Sequence, residues 1–209
     1  MGTTINGCEI CHGDLPRSFV LNAVRTGEAA WDIETSGLDW REDRIASCQL
    51  MLPAGETVIV RNLDARPANL RALLADKQVR KVFHHAMFDL RFMSHHWAVP
   101  VQNIACTKIA AKLLDPECRQ SHSLKSLVSQ YLGVALDKSE QKSDWFASRL
   151  SAAQIDYAVS DVAHLCSLLA ALEQQLGVRK LELLAQSCFA HIPTRVQLEL
   201  LGYRDVYQY

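Results

Sequence analysis

Asp32 and Glu34 stand two residues apart in AAWDIET (29–35), inside an otherwise apolar run. Alternation along a strand turns both carboxylates to one face. Two like charges on one buried face are costly unless a cation lies between them; the alternative is a pair of solvated acids on an edge strand. Later segments pose the same problem. In FHHAMFDLRF, Asp89 sits among Phe88, Leu90 and Phe92 at the first turn of an expected helix, where the helix dipole alone favours an acid. In IDYAVSDVAHL, Tyr157 and Asp161 are four residues apart and share a helix face. Taken singly, each acid could be capped or solvated. Together, Asp32, Glu34, Asp89 and Asp161 offer only oxygen donors, which select Mg²⁺ or Mn²⁺ over zinc. Converging on one point, they would hold two such ions ~3.5–4 Å apart, a clamp for in-line displacement at a phosphodiester. Tyr157, a phenol with an ordinary pKa of about 10, suits orienting the attacking water better than deprotonating it.

Those residues need elements to hold them. RSFVLNAVRTG (17–27) reads as a helix ending at Gly27. The acid-bearing strand 29–35, with 44–52 and 56–62, reads as an antiparallel meander. A helix over 67–76, a strand over 79–85 and a helix over 86–97 follow. Residues 103–115 read as a short strand feeding a helix, and 123–133 as a helix stopped by glycine. Ser151 and Gln154 form a capping-box pattern that opens one long helix to about Leu176. The tail from 181 to 203 reads as a helical pair broken near Pro193. A meander followed by strand–helix alternation makes an α/β domain. One domain is expected over 1–209, with an N-terminal arm (1–16) and a C-terminal helical tail (181–209) available as an oligomer interface.

Composition narrows the partners. The 22 basic and 23 acidic residues leave a formal net charge of −1, which offers no global pull on a long polyanion. A short nucleic acid is easier to reconcile with it. No apolar run approaches the ~20 residues of a membrane span, and no secretory signal is read at the N-terminus. Seven scattered cysteines suit reduced thiols in the cytoplasm. Cys8, Cys11 and His12 spell C-x-x-C-H, a haem-attachment pattern. Without an export signal or a fourth zinc ligand, the cluster reads as chance in an N-terminal strand or arm.

DIET, FHHAMFD and YAVSD, in that order, resemble the three exonuclease motifs of the DEDD 3′–5′ exonuclease superfamily. Tyrosine four residues before the last aspartate places the chain with the tyrosine subgroup. LDKSEQKSDWFASRLSAAQIDYAVSDVAHL (136–165), CTKIAAKLL and SLKSLVSQYLG are similar to ribonuclease D. Two departures stand out: Ser148-Arg149-Leu150 where ribonuclease D usually reads R-P-L, and an end at Tyr209 where ribonuclease D continues into helical HRDC domains. GDLP (13–16) and CFAHIPTRVQLELLGY (188–203) are instead similar to the single-domain nano-RNase C branch. The resemblance implies a ribonuclease-H-like fold, with a mixed central sheet flanked by helices. It implies Asp32, Glu34, Asp89 and Asp161 as ligands of two Mg²⁺ or Mn²⁺ ions, and Tyr157 as the catalytic water-orienting residue. It further implies a homo-oligomer, ring-shaped, that degrades very short single-stranded RNA to 5′-mononucleotides. A general exonuclease on longer RNA or DNA ends, or a silent nucleic-acid binder, are the alternatives.

Other residues are candidates for substrate contact. A histidine stands at the His84 position in related enzymes. Trp145 could stack on a base or anchor its loop to the core, and Lys108 could meet a phosphate. Lys138 and Gln141 lie in the same ribonuclease-D-like stretch as Trp145.

Overall fold

The computed structural model describes residues 3–5, 7–137, 140 and 143–208. Its strands are β1 (Thr3–Ile5), β2 (Cys8–His12), β3 (Glu28–Thr35), β4 (Ile45–Met51), β5 (Thr57–Arg61), β6 (Arg80–Phe83) and β7 (Ile104–Cys106). Its helices are α1 (Arg17–Thr26), α2 (Ala68–Ala75), α3 (Ala86–Trp97), α4 (Thr107–Leu114), α5 (Leu124–Leu132), α6 (Ala152–Ala163), α7 (Leu165–Val178) and α8 (Glu182–Leu200). The strands form one mixed sheet in the order β1-β2-β5-β4-β3-β6-β7. β3, β4 and β5 are the expected antiparallel meander, and β6 and β7 continue it in parallel with β3. Parallel neighbours need crossover connections, which α2 supplies before β6 and α3 before β7. This is the expected α/β arrangement.

β3 is an interior strand, flanked by β4 and β6, so its acids are not the solvated pair of an edge. Trp31, fully buried, points to the face opposite them and packs on Phe83 and Trp97, ring centroids 6.0 and 6.4 Å away. α1 stops where Gly27 turns left-handed (φ 75°) and returns its N–H to the Ala23 carbonyl at 2.8 Å, which aims the chain directly into β3.

Four details depart from the sequence reading. Part of the N-terminal arm is built into the sheet, with β2 parallel to β5. After it, the Asp14 carboxylate caps α2 by accepting the N–H groups of Asn69 (2.7 Å) and Leu70 (3.0 Å). The expected long helix is two, α6 and α7, meeting at His164. That bend lets α6 cover β3, β4 and β5 while α7 reaches β3 and β6, following a twisted sheet that one straight rod would leave. The whole run Ala152–Val178 is long and apolar enough to resemble a membrane span by composition, contrary to expectation. Its apolar stripe, including Ile155, Val162, Leu165 and Leu172, is spent on the protein core. α8 runs unbroken through Pro193. A mid-helix proline costs ~3 kcal/mol, offset here by burial of Phe189, Ile192 and Val196 around it and by ion pairs from Arg195 and Arg91 to Glu199.

Cys8 and Cys11, three apart on β2, face opposite sides of the sheet and join separate core clusters. Burial pushes their thiols up to about 11 and about 12, and the His12 ring pairs with Asn62. The two thiols therefore do not face one point.

The start of α6 is fixed by a reciprocal box: Ser151 Oγ accepts the Gln154 N–H (3.1 Å), and Gln154 Oε1 accepts the Ser151 N–H (2.9 Å). Gln154 Nε2 also donates to Ser143 Oγ and to the Asp144 carbonyl. Ser151→Ala should cost about 0.5–2 kcal/mol in urea unfolding with an unchanged slope. A variant as stable as the parent would assign the helix start to Gln154's loop contacts alone.

Candidate active site

Asp32 and Glu34 leave β3 on one face, opposite the buried Gln49 and Ser47 of β4. The β3–β4 register slips immediately after Glu34, a bulge that ends the ladder beside the site. On the other side, β6 pairs with β3 only as far as Ala30. Beyond that point Asp89, at the start of α3, takes the place of a strand partner: its Oδ1 accepts the Ile33 N–H at 3.2 Å. This explains how a carboxylate 2% exposed is tolerated. Between β6 and α3, His85 adopts a left-handed conformation (φ 63°), a strained turn of the kind that gathers at functional sites.

α6 brings Tyr157 and Asp161 over β3, both more than nine-tenths buried. Asp32, Glu34 and Asp161 each present an oxygen within 4.8 Å of the others. Asp89 borders the same cavity and is close enough to raise the Glu34 pKa. Burial, then Asp161 and Asp89, push Glu34 up to about 8. Asp89 is likewise raised, chiefly by burial, with Asp161 adding to it and its backbone hydrogen bonds opposing. Burial first, then Asp161 and Glu34, hold the Tyr157 phenol well above its ordinary range. Tyr157 is therefore a protonated donor, hydrogen-bonded to Asp161, and no base at neutral pH. Hard oxygen donors that raise one another's pKa fit a divalent cation of the Mg²⁺ class.

These residues line a cavity of about 430 Å³. His84 lines it too, with Nδ1 2.8 Å from Thr107 Oγ1. Sequence reasoning missed Leu38, Phe88 and Ser143 in its walls. Phe88 had a signal, its place beside Asp89; Ser36-Gly37-Leu38 follows the acids directly but reads only as a turn. Leu38 is 82% exposed at the mouth. Its loop is held by the Asp43 carboxylate, which accepts Ser36 Oγ–H and the Asp39 N–H, both at 2.9 Å. A Cβ on Gly37 would lie 2.4 Å from that carboxylate, so a side chain there would displace the group that holds the loop.

Trp145 and Lys108 stand differently toward the cavity. Trp145 lines the cavity but is 4% exposed, its ring packed 5.8 Å from Tyr157. The ring packs with its loop beside the tyrosine, which favours the anchoring role. Arg61 on β5, also 4% exposed, clamps that loop by donating to the carbonyls of Trp145 (3.4 Å), Ala147 (2.5 Å) and Ser148 (3.5 Å). Lys108 is not in the cavity wall. α4 turns Thr107, Ala110, Ala111 and Leu114 inward, leaving Lys108 outside them, near enough for its charge to act on His85. Lys138 and Gln141 lie outside the described residues.

Residues 13–177 match a family model described as 3′–5′ exonuclease. Ribonuclease D of Zymomonas mobilis is 35% identical over 104 residues, 50% of this chain and 26% of that protein. The matches span between 15% and 37% of the length of the curated relatives. Among solved structures, Brucella melitensis NrnC bound to pGG is 35% identical with a TM-score of 0.88, covering 97% of this chain and 98% of that one. The same protein with bound Mg²⁺ is 34% identical with a TM-score of 0.87, over the same shares.

The carboxylates link stability to pH and metal. The folded pKa of Glu34, about 8, lies above its ordinary value of 4.5, so the metal-free fold binds more protons than the unfolded chain between those values. The stability from this group is complete below pH 4.5 and is lost as pH rises through 8. Denaturation of EDTA-treated protein should therefore show stability falling over that window, with a shallower fall in Glu34→Gln. Mg²⁺ at a hundred times its Kd should add about 2.7 kcal/mol at pH 8 and much less in Glu34→Gln. A metal-free stability that rises from pH 5 to 8 in proportion to Glu34 would contradict the assignment.

Proposed function

Since the chain belongs to the 3′–5′ exonuclease family, with the ribonuclease D-like DEDD motifs of its tyrosine subgroup, we propose that it hydrolyses very short RNA from the 3′ end, releasing 5′-mononucleotides. The observation that carries this reading is the meeting of Asp32, Glu34 and Asp161 within 4.8 Å, beside Asp89 and under Tyr157, in one cavity of about 430 Å³. That volume lies in the range of small-molecule sites and favours a few nucleotides over a long strand, as does the net charge of −1. The likeness to an NrnC that holds pGG supports the same substrate class.

Asp32, Glu34, Asp89 and Asp161 would hold two divalent ions. Bound there, the ions supply the positive charge that activates water and offsets charge on the leaving 3′ oxygen. Tyr157 keeps its proton and orients the attacking water by hydrogen bonding. Phe88 and Leu38 offer apolar surface to the bases, and His84 offers a ring nitrogen to the nucleotide. The seven cysteines, all free, support a reducing cytoplasm. Leu201, Tyr203, Val206 and Tyr207, exposed beyond α8, support a homo-oligomer with the C-terminal tail in its interface.

The test is a length series of 5′-labelled RNA of two, three, five, seven and twenty nucleotides, with Mg²⁺ or Mn²⁺ and an EDTA control. Metal-dependent cleavage should be fastest on the dinucleotide and fall steeply beyond it. Equal or better cleavage of the longest RNA would indicate a general trimmer, and no cleavage at any length a silent binder.

Asp161→Asn and Asp32→Asn should reduce cleavage to background with the fold intact. Tyr157→Phe should lower kcat by about 10²-fold with little change in KM. An effect of Tyr157→Phe confined to KM would contradict the water-orienting role.

A further inference from the structure

The CTKIAAKLL segment carries no role in the reading above, yet its threonine reaches the site. Thr107 opens α4, is wholly buried, and has the core residues Cys106, Ala110 and Ala111 as sequence neighbours on the same inward side. A buried hydroxyl is kept only where it has a partner. Its Oγ1 lies 2.8 Å from His84 Nδ1 and 3.4 Å from the Phe83 carbonyl. This meeting is written into the sheet: β6 and β7 run parallel with Phe83 opposite Cys106, their last residues. The next residue of each strand, His84 and Thr107, therefore emerges beside the other. One becomes a wall of the catalytic cavity, and the other stays behind it in the core.

We propose that Thr107 is a positioning residue for the exonuclease reaction, holding the His84 imidazole by Nδ1 so that Nε2 is the nitrogen offered to the nucleotide. The proposal rests on reading the cavity as the nuclease site. An imidazole χ2 is a soft, roughly two-fold torsion, and the Thr107 hydroxyl favours the rotamer that turns Nδ1 toward the core before substrate arrives. Its benefit appears in how well His84 meets the nucleotide.

Thr107→Val keeps the β-branched shape and removes the hydroxyl; Thr107→Ala does so by deletion only, and stands in if the valine variant does not fold. Thr107→Ser keeps the hydroxyl. With a dinucleotide substrate and Mg²⁺, the valine variant should lose roughly 5–30-fold in kcat/KM, and the serine variant should stay within about twofold. In a His84→Ala background Thr107→Val should have no further effect. ¹⁵N-histidine NMR of the metal-free protein gives a readout independent of activity: the His84 Nδ1 resonance should move in Thr107→Val and return in Thr107→Ser. The same loss in both the parent and His84→Ala backgrounds, or an Nδ1 resonance unmoved by Thr107→Val, would overturn the proposal. A parent protein that cleaves no oligonucleotide overturns the nuclease reading instead, and the Nδ1 resonance then still decides whether Thr107 holds the ring.

Discussion

Everything at this site follows from the burial of like charges around one strand. Glu34 and Asp89 are driven toward protonation by loss of water and by the field of Asp161, with Asp89 adding to the effect on Glu34. Left alone, such a cluster is a liability, because buried carboxylates without a counter-charge lose several kcal/mol of solvation. Among the described residues that line the cavity there is no Lys or Arg. The hydrogen bond from the Ile33 N–H to Asp89 orients a carboxylate without neutralising it. The arrangement makes chemical sense when a divalent cation completes it, and the donor set fits one.

Given that constraint, the architecture reads as a way to aim three backbones at one point. β3 contributes two acids from one face because the strand has a period of two. α3 contributes one because β6 stops pairing at Ala30 and leaves room for Asp89 against the open edge of β3. α6 contributes Asp161 and, one turn earlier, Tyr157. The bend at His164 belongs to the same requirement. It frees α6 to lie across the acid-bearing end of the sheet while α7 stays in the core.

The local parts of this were legible in the sequence. The DIET spacing, the Tyr157–Asp161 interval, the Ser151 capping box and the Gly27 stop are short-range patterns, and the structure has them as read. What could not be read depended on contacts between distant segments. Whether β3 was an edge or an interior strand was decided by β6, about fifty residues away. The continuity of α8 through Pro193 was decided by burial of Phe189 and Val196 on either side of it. Trp145 looked equally suited to a base or to the core until Arg61, on another strand, was seen to clamp its loop. Local propensity had no access to any of these partners.

The division of labour within the cavity follows from where each wall is fixed. The acids are carried by a strand and two helices, and any change in their separation would be resisted by the packed core behind them. The mouth is carried by loops, and each loop is tied by buried or short-range polar bonds rather than by the sheet. Asp43 ties the Ser36–Leu38 turn, with Gly37 making room for its carboxylate. Arg61 ties the Trp145 loop through three carbonyls. The parts of the fold that hold the carboxylates are thereby distinct from the parts that shape the opening above them. Asp43, Gly37 and Arg61 thus shape the mouth from outside the carboxylate cluster.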